Sequence, residues 1–113
     1  MDCLFCRMAA GEITPDVVHE DEHCLAFRDI APQAPTHVLL IPKKHVTNLD
    51  ALEDTDRPLA GHLLMTAAKV ARDLGIASDG FRLVANTNVH GGQTVYHLHF
   101  HLLGGRRLGW PPG

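Results

Sequence analysis

The stretch YHLHFHLLGG, residues 96–105, decides the expected fold and suggests the chemistry. Histidine alternates with apolar side chains, and strict alternation predicts a half-buried strand because successive side chains point to opposite faces. The side chains expected in the core are Tyr96, Leu98, Phe100 and Leu102. His97, His99 and His101 then share the other face, with their backbone positions about 6.6 Å apart.

The composition bounds the class of protein. A chain of 113 residues has room for one core, so we expect a single domain over residues 1–113. The net charge of -3 predicts no broad basic face for nucleic acid, and no apolar run is long enough to suggest a membrane partner. The N-terminal residues lack a signal-peptide pattern, and three cysteines argue against a disulfide framework, so a cytoplasmic location is expected.

Turn and cap residues predict the remaining elements. Further strands are expected at residues 17–20, 24–27, 36–41 and 81–85. A short helix is expected over residues 3–10, ending at Gly11, and the main helix between Asp56 and Gly75, where apolar residues recur at helical spacing. This order predicts an α+β domain around a five-stranded antiparallel sheet, and the small core makes dimerisation unsurprising.

Three hypotheses account for the histidine face. The imidazoles could hold a catalytic zinc that keeps one open position. One ring could instead attack phosphorus in nucleotidyl transfer, with its neighbours orienting groups and moving protons. The third hypothesis is a solvated strand whose histidines have no function.

The loop before the strand favours phosphorus chemistry. Gly91 and Gly92 allow the backbone N–H groups to turn inward and approach a ligand closely. Asn86 and Thr94 add uncharged donors, so a chain with little positive charge could hold a phosphate. A neutral imidazole is plentiful near pH 7, and His99, with a histidine on each side, is the natural nucleophile.

The motif at residues 97–103 resembles the H-x-H-x-H-x-x signature of the histidine triad (HIT) superfamily. Three other segments, together with the closing WPPG at residues 110–113, resemble the histidine-triad nucleotide-binding (Hint) branch. Those segments are AFRDIAPQAPTH at 26–37, IPKKH at 41–45 and GGQTVY at 91–96. The resemblance spans nearly the whole chain in the same order.

The resemblance implies a two-fold homodimer that joins two five-stranded sheets. It also implies hydrolysis of purine nucleoside phosphoramidates, such as adenylate linked to an amine, or of acyl-adenylates, with no cofactor for catalysis. His99 would form a covalent nucleotidyl intermediate. His37, His97 and His101 would support protonation and orientation.

The resemblance also implies the residues that bind the purine nucleotide conjugate. They are Asp29, Ile30, Asn86, Gly92, Thr94, His101 and Trp110. Asp29 would bind the ribose hydroxyls, Ile30 would line the nucleoside pocket, and the loop residues would hold the α-phosphate. Many family members have serine where Thr94 stands, and the hydroxyl donor is retained. Trp110, in the tail at residues 106–113, would form the leaving-group side and reach toward the partner subunit's site.

Cys3 and Cys6 have the C-x-x-C spacing of a zinc half-site. On the spacing alone, two buried thiols or a redox pair are equally acceptable. The resemblance extends to bacterial triad proteins that carry such cysteines, and it implies a structural zinc completed by His45 and His97. Four protein ligands leave no open position, which is typical of a stabilising metal rather than a catalytic one.

Two other functions remain open. A sister branch hydrolyses dinucleoside polyphosphates, although the WPPG tail argues against that activity. The chain could also be a nucleotide-binding or partner-docking module with incidental catalysis. Among the residues singled out, Asp29 could be only a turn residue, Trp110 only an anchor and His37 an ordinary strand histidine. The remaining histidines are expected to be surface or structural residues: His19, His23, His62 and His90.

Overall fold

The computed structural model describes residues 3–113, so Met1 and Asp2, the start of the predicted domain, lie outside the described residues. The elements in chain order are α1 (Leu4–Ala9), β1 (Val17–Glu20), β2 (Cys24–Arg28), β3 (Thr36–Pro42), α2 (Arg57–Asp73), β4 (Phe81–Val84) and β5 (Phe100–Gly104). Two short 3-10 turns, Leu49–Ala51 and Asp54–Asp56, precede α2. The predicted α+β class, with five strands, one main helix and a short N-terminal helix, is confirmed.

The five strands form one antiparallel sheet in the order β1-β2-β3-β5-β4. Strand β5 therefore lies inside the sheet, between β3 and β4. Its register places His101 opposite Leu39 and Leu103 opposite His37. His37 and His101 are thus diagonal neighbours on one face, close enough for their side chains to meet.

The main core lies between one face of the sheet and α2. Helix α2 contributes Leu63, Ala67 and Val70, and the facing sheet side chains include Leu40 and Leu102. Apolar residues at three- and four-residue spacing give α2 this apolar stripe. The core therefore covers the sheet face opposite the histidines and leaves the histidine face for other contacts.

A smaller cluster covers part of the histidine face. Phe5 of α1 packs there with Phe27, Leu39 and Ile41. His97 is 0% exposed and His99 is 7% exposed. The hypothesis of a solvated histidine strand is therefore wrong.

The predicted strand through the triad begins too early. Sheet pairing starts at Phe100, because β3 ends at Pro42, which has no N–H with which to continue the ladder. The segment before it bonds to a loop instead, with the Leu98 amide donating to the Val46 carbonyl at 2.6 Å. Alternation therefore does not extend back to Tyr96, which is 45% exposed, and its predicted burial in the core is wrong.

The other element boundaries lie within a residue or two of the predicted ones. No helix in residues 3–113 combines the length and apolar character needed to cross a bilayer.

Candidate active site and metal centre

His99 is held in one tautomer by its own chain. Its Nδ1 lies 2.7 Å from the His97 carbonyl oxygen, and a carbonyl can only accept a hydrogen bond. Nδ1 therefore carries the hydrogen, and Nε2 of the neutral ring carries the free lone pair. The ring is 7% exposed and packs edge-on to Phe5, with the ring centroids 5.3 Å apart. A buried imidazole with a defined lone pair is suited to nucleophilic attack.

The tautomer of His101 follows from a chain of hydrogen bonds on β3 and β5. The Gln33 amide donates to His37 Nδ1 at 3.0 Å, so His37 carries its hydrogen on Nε2. His37 Nε2 lies 2.9 Å from His101 Nδ1 and donates to it. His101 must then carry its own hydrogen on Nε2. The ring centroids of His99 and His101 are 5.1 Å apart, so the ring that carries this N–H lies beside His99.

Burial makes both supporting histidines harder to protonate. Burial lowers the pKa of His37, and the Asp29 carboxylate opposes this effect. Burial also lowers the pKa of His101 to about 4, reinforced by the neighbouring His99 and His37 and opposed by Asp29. His101 is therefore neutral near pH 7, and its Nε2–H serves as a hydrogen-bond donor rather than a strong acid.

The three triad rings do not direct lone pairs at one point. His97 Nδ1 faces the cysteine pair, His101 Nδ1 accepts from His37, and His99 Nδ1 is bonded to a carbonyl. The geometry therefore does not favour the hypothesis of a catalytic zinc held by the triad.

The glycine-rich loop forms a tight turn whose backbone requires glycine, and the N–H groups of Gly92 and Gln93 donate within it, to the carbonyls of Val89 and Asn88. Gly92 has φ +77°, in the region that favours glycine, and a Cβ on Gly91 would lie 2.4 Å from the Thr87 carbonyl oxygen. The Asn86 side-chain amide donates to the Gly91 carbonyl at 2.7 Å, which uses one of its two hydrogens. Gly92 and Thr94 are exposed, but the Gly92 N–H donates to the Val89 carbonyl at 3.0 Å, so of these two residues it is Thr94 that offers donors on the solvent side of the loop.

Gln93 is a supporting residue that the sequence did not identify. It is 7% exposed, and its Nε2 donates to the carbonyl oxygens of Thr47, at 2.8 Å, and Val95, at 3.1 Å. Its Oε1 accepts from the Asn88 amide, at 2.9 Å, and from Asn48 Nδ2, at 3.1 Å. Gln93 thus fastens the loop to the segment after β3. A glutamine after two glycines was the only signal, and it does not reveal these partners.

Of the predicted nucleoside residues, Asp29 lies beside a site histidine, and Ile30 and Trp110 are exposed. Asp29 Oδ2 lies 3.4 Å from His37 Nε2, and Asp29 Oδ1 accepts from the Ala31 amide at 2.8 Å. Ile30 is 101% exposed and Trp110 is 82% exposed, so neither is part of the core, and Trp110 does not anchor the tail by packing. Their contact with a nucleotide stays a prediction.

The four predicted metal ligands converge. His97 Nδ1 lies 3.4 Å from Cys3 Sγ, 3.5 Å from Cys6 Sγ and 3.1 Å from His45 Nδ1, and Cys6 Sγ lies 3.1 Å from His45 Nδ1. All four donor atoms lie within 4.8 Å of one another. A tetrahedral zinc with two sulfur and two nitrogen ligands requires S···N separations of about 3.6 Å and N···N of about 3.3 Å. The donor set fits zinc in chemistry and in spacing.

A hydrogen bond to the Pro42 carbonyl fixes the tautomer of His97 that a metal would need. Its Nε2 lies 2.9 Å from the Pro42 carbonyl oxygen and donates to it, which leaves Nδ1 bare and directed at the cysteines. Both ring nitrogens of His97 are thereby assigned. The backbone carbonyl of His97 holds His99, and the predicted role of the His97 ring in protonation and orientation stays a prediction.

The histidines expected to be structural include a well-formed hydrogen-bonded group. His19 Nε2 and His62 Nε2 each lie 2.8 Å from Asp21 Oδ2, which joins the β1–β2 turn to α2. Burial alone would raise the pKa of Asp21, but hydrogen bonds from these histidines, Cys24 and the His23 backbone hold it well below its usual range. His90 is exposed on the loop.

Comparisons with known proteins agree with this geometry. The model of the HIT domain family matches residues 10–108. A HIT-like protein of Synechococcus elongatus is 53% identical over 112 residues, covering 99% of this chain and 97% of that protein.

Solved structures give the same result. A HIT family hydrolase from Legionella pneumophila matches with a TM-score of 0.97 and 54% identity, over 99% of this chain and 100% of that one. A histidine triad protein from Clostridium difficile matches with a TM-score of 0.93 and 42% identity, over 96% of this chain and 95% of that one.

Proposed function

The chain belongs to the HIT domain family, and from that premise we propose that it is a hydrolase that cleaves purine nucleoside phosphoramidates. One observation carries the proposal. The Nδ1–H of His99 is bonded to the His97 carbonyl at 2.7 Å, so the Nε2 lone pair is free to attack phosphorus.

In the first step, the His99 Nε2 lone pair attacks the α-phosphorus of the substrate. A bond forms between Nε2 and phosphorus, and the bond between phosphorus and the amine nitrogen breaks. The amine leaves with the bonding pair and takes one proton from solvent. The product on the enzyme is a nucleotidyl-imidazolium whose Nδ1–H still donates to the His97 carbonyl.

In the second step, water attacks the same phosphorus. A bond forms between phosphorus and the water oxygen, the bond to Nε2 breaks, and its electron pair returns to His99. One proton passes to solvent, which balances the proton taken up before. The nucleoside monophosphate then leaves.

The surrounding residues stabilise the charge that develops on phosphorus. The neutral His101 offers its Nε2–H, directed there by the bond from His37 to Nδ1. Asn86 and Thr94 offer uncharged donors from the loop, which Gln93 holds in place. Gly92, whose own N–H donates to the Val89 carbonyl, would contribute the close backbone approach that a residue without a side chain allows. Prearranged donors aimed at developing charge are worth more than flexible ones, because they need no reorganisation during reaction.

A structural zinc held by Cys3, Cys6, His45 and His97 is the second part of the proposal. When bound, the ion would stabilise the fold rather than supply chemistry, because four protein ligands leave no position for substrate. Thiols kept free for a metal are typical of a reducing compartment, and we expect the protein in the cytoplasm.

A homodimer is the third part. Strand β4 forms one edge of the sheet and carries Phe81, which is 39% exposed. On α2, Leu64 is 52% exposed and Met65 is 71% exposed. An unpaired sheet edge and exposed apolar side chains on a helix are each typical of an interface between two copies. Analytical ultracentrifugation should find a dimer that charged substitutions at Leu64 and Met65 weaken.

Single-turnover mixing with labelled adenosine phosphoramidate, quenched in alkali, tests the mechanism. The label should attach transiently to wild-type protein and to His90→Ala, which changes an exposed histidine of the loop. His99→Ala should lose both the attached label and the turnover. Full turnover by His99→Ala would rule out the proposed mechanism.

The two alternative functions predict different results. A dinucleoside polyphosphate hydrolase would cleave diadenosine polyphosphate faster than the phosphoramidate at equal concentration. A docking module would bind adenosine monophosphate tightly and turn over neither substrate.

A further inference from the structure

Phe5 links the metal centre to the proposed nucleophile. It lies in α1 between Cys3 and Cys6 and is 4% exposed. Its ring packs edge-on to His99, with centroids 5.3 Å apart and planes at 77°, and edge-on to His97 at 5.9 Å and 79°. One aromatic side chain therefore contacts both a metal-ligand ring and the nucleophile ring.

The ring of His99 needs such a contact to stay aimed. Its bond to the His97 carbonyl fixes Nδ1, but a single neutral hydrogen bond gives only modest stabilisation. Packing restrains the ring further, and its aromatic neighbours are Phe5 and His101, whose centroid is 5.1 Å away. Without Phe5, the ring could rotate about its side-chain bonds and turn Nε2 away from phosphorus.

The position of Phe5 depends in turn on the cysteines beside it. Helix α1 has six residues, too few for a helix to be stable by itself. Cys3 Sγ caps it by accepting from the Cys6 amide at 3.3 Å, and both thiols lie against His97. A metal that joined these two thiols to His45 and His97 would fix α1 on the sheet, and Phe5 with it.

We propose that Phe5 is a positioning residue that couples occupancy of the metal centre to the orientation of His99. This inference rests on the proposed function for its catalytic consequence, but not for its structural one. The zinc would supply no chemistry to the reaction. It would act by holding α1 in place, and α1 would in turn hold Phe5 against the ring of His99.

The test compares Phe5→Leu with Phe27→Leu. Phe27 is a matched control because it is 3% exposed in the same cluster, and its ring pairs with Phe5 at 5.7 Å rather than with a histidine. Two-bond proton–nitrogen NMR reads the tautomer of His99 without substrate, since protonated and bare ring nitrogens resonate at different shifts. Steady-state kinetics with adenosine phosphoramidate gives kcat and KM separately.

We expect Phe5→Leu to lower kcat by about ten- to a hundredfold, because a displacement of about 1 Å at a reacting group can cost a hundredfold. KM should change by less than about threefold, because Phe5 is not among the residues proposed to bind the nucleotide. The NMR signals of His99 should change from one tautomer to an average of two. Phe27→Leu should retain the wild-type tautomer and nearly all of kcat.

Metal removal provides a second arm that needs no variant. EDTA treatment of zinc-loaded wild-type protein should give the same NMR change and the same selective loss of kcat, and Zn²⁺ should reverse both. In Phe5→Leu, EDTA should lower kcat by less than about threefold further, because the two changes act through one contact.

Three results would overturn the inference: a wild-type His99 tautomer and kcat in Phe5→Leu, equal losses in Phe5→Leu and Phe27→Leu, or independent effects of EDTA and Phe5→Leu. Failure of the proposed function is distinguishable. If wild-type protein forms no nucleotidyl-enzyme, that function is wrong, while the NMR arms still decide whether Phe5 and the metal orient His99.

Discussion

Replacing Gly91 by alanine tests whether the loop holds the phosphate through its backbone. The new Cβ would lie 2.4 Å from the Thr87 carbonyl oxygen and 2.7 Å from the Thr87 amide nitrogen. Ordinary contacts begin at 3.4 Å, so the two backbone segments must separate by about 1 Å. Both belong to one tight turn, and neither can give way as a flexible side chain would.

This displacement should reduce activity far more than stability. A shift of about 1 Å in the donors to the α-phosphate should lower kcat/KM for adenosine phosphoramidate by about a hundredfold. The free energy of unfolding should fall by about 1–3 kcal/mol, the usual cost of forcing an extra methyl group into a packed site. Urea denaturation and steady-state kinetics on the same preparation measure the two effects.

Gly61→Ala is the matched control, because a Cβ there meets no atom within 4 Å. Gly61 lies in α2, where alanine should raise the free energy of unfolding by about 0.5–1 kcal/mol and leave kinetics unchanged. A Gly91→Ala protein with kcat/KM within threefold of wild type would refute the proposal that this turn positions the phosphate.

Three further predictions follow from the metal centre, the buried histidines and the loop. Zn²⁺ at a hundred times its Kd should add about 2.7 kcal/mol to the free energy of unfolding. At about 4 °C per kcal/mol, this raises Tm by about 10 °C. Calorimetry should find this shift in Cys24→Ala, which keeps all four ligands, but not in Cys6→Ala. Burial lowers the pKa of His101 to about 4 in the folded protein, whereas the same histidine has a pKa near 6.5 in the unfolded chain. As the pH falls, the unfolded chain therefore binds the proton first. The free energy of unfolding is thus highest above pH 6.5 and decreases as the pH falls toward 4. The difference between the two pKa values corresponds to at most about 3 kcal/mol of unfolding free energy, and to less for a partly exposed ring. His101→Gln should therefore flatten the dependence of the urea-derived unfolding free energy on pH between about 4 and 6.5. An unchanged slope would contradict the lowered pKa of His101. Gln93→Leu removes the hydrogen bonds from Asn48 and Asn88, so the substitution should lower the free energy of unfolding by about 2–4 kcal/mol. A change below about 0.5 kcal/mol would show that the loop does not depend on Gln93.

The sequence predicted the elements because their signals are local. Alternation, helical spacing, prolines and glycines placed all five strands and both helices within a few residues. The triad strand was placed too early because its limit is set by Pro42, a residue on a different strand. The alternation of polar and apolar residues in one strand carries no information about where the adjacent strand ends.

The sequence named the candidate site residues but not the hydrogen bonds between them. The bond from His37 to His101 depends on the register between β3 and β5, which the sequence does not reveal. The roles of Phe5 and Gln93 were missed for a related reason, since a buried aromatic and a loop glutamine are common and only their partners distinguish them. The metal ligands were grouped through the family resemblance, and the structure brings their donor atoms together.

The residues of the metal centre are far apart along the chain, with Cys3 and His97 separated by 94 positions. Only Cys3 and Cys6 are close in sequence, since His45 and His97 are themselves 52 positions apart, so unfolding of the sheet would leave one weak pair of donors and two separate histidines. A coloured chelator in the cuvette would then register global unfolding as release of the ion, with no label on the protein. The same separation makes retention of the ion a simple assay for correctly assembled molecules in a preparation.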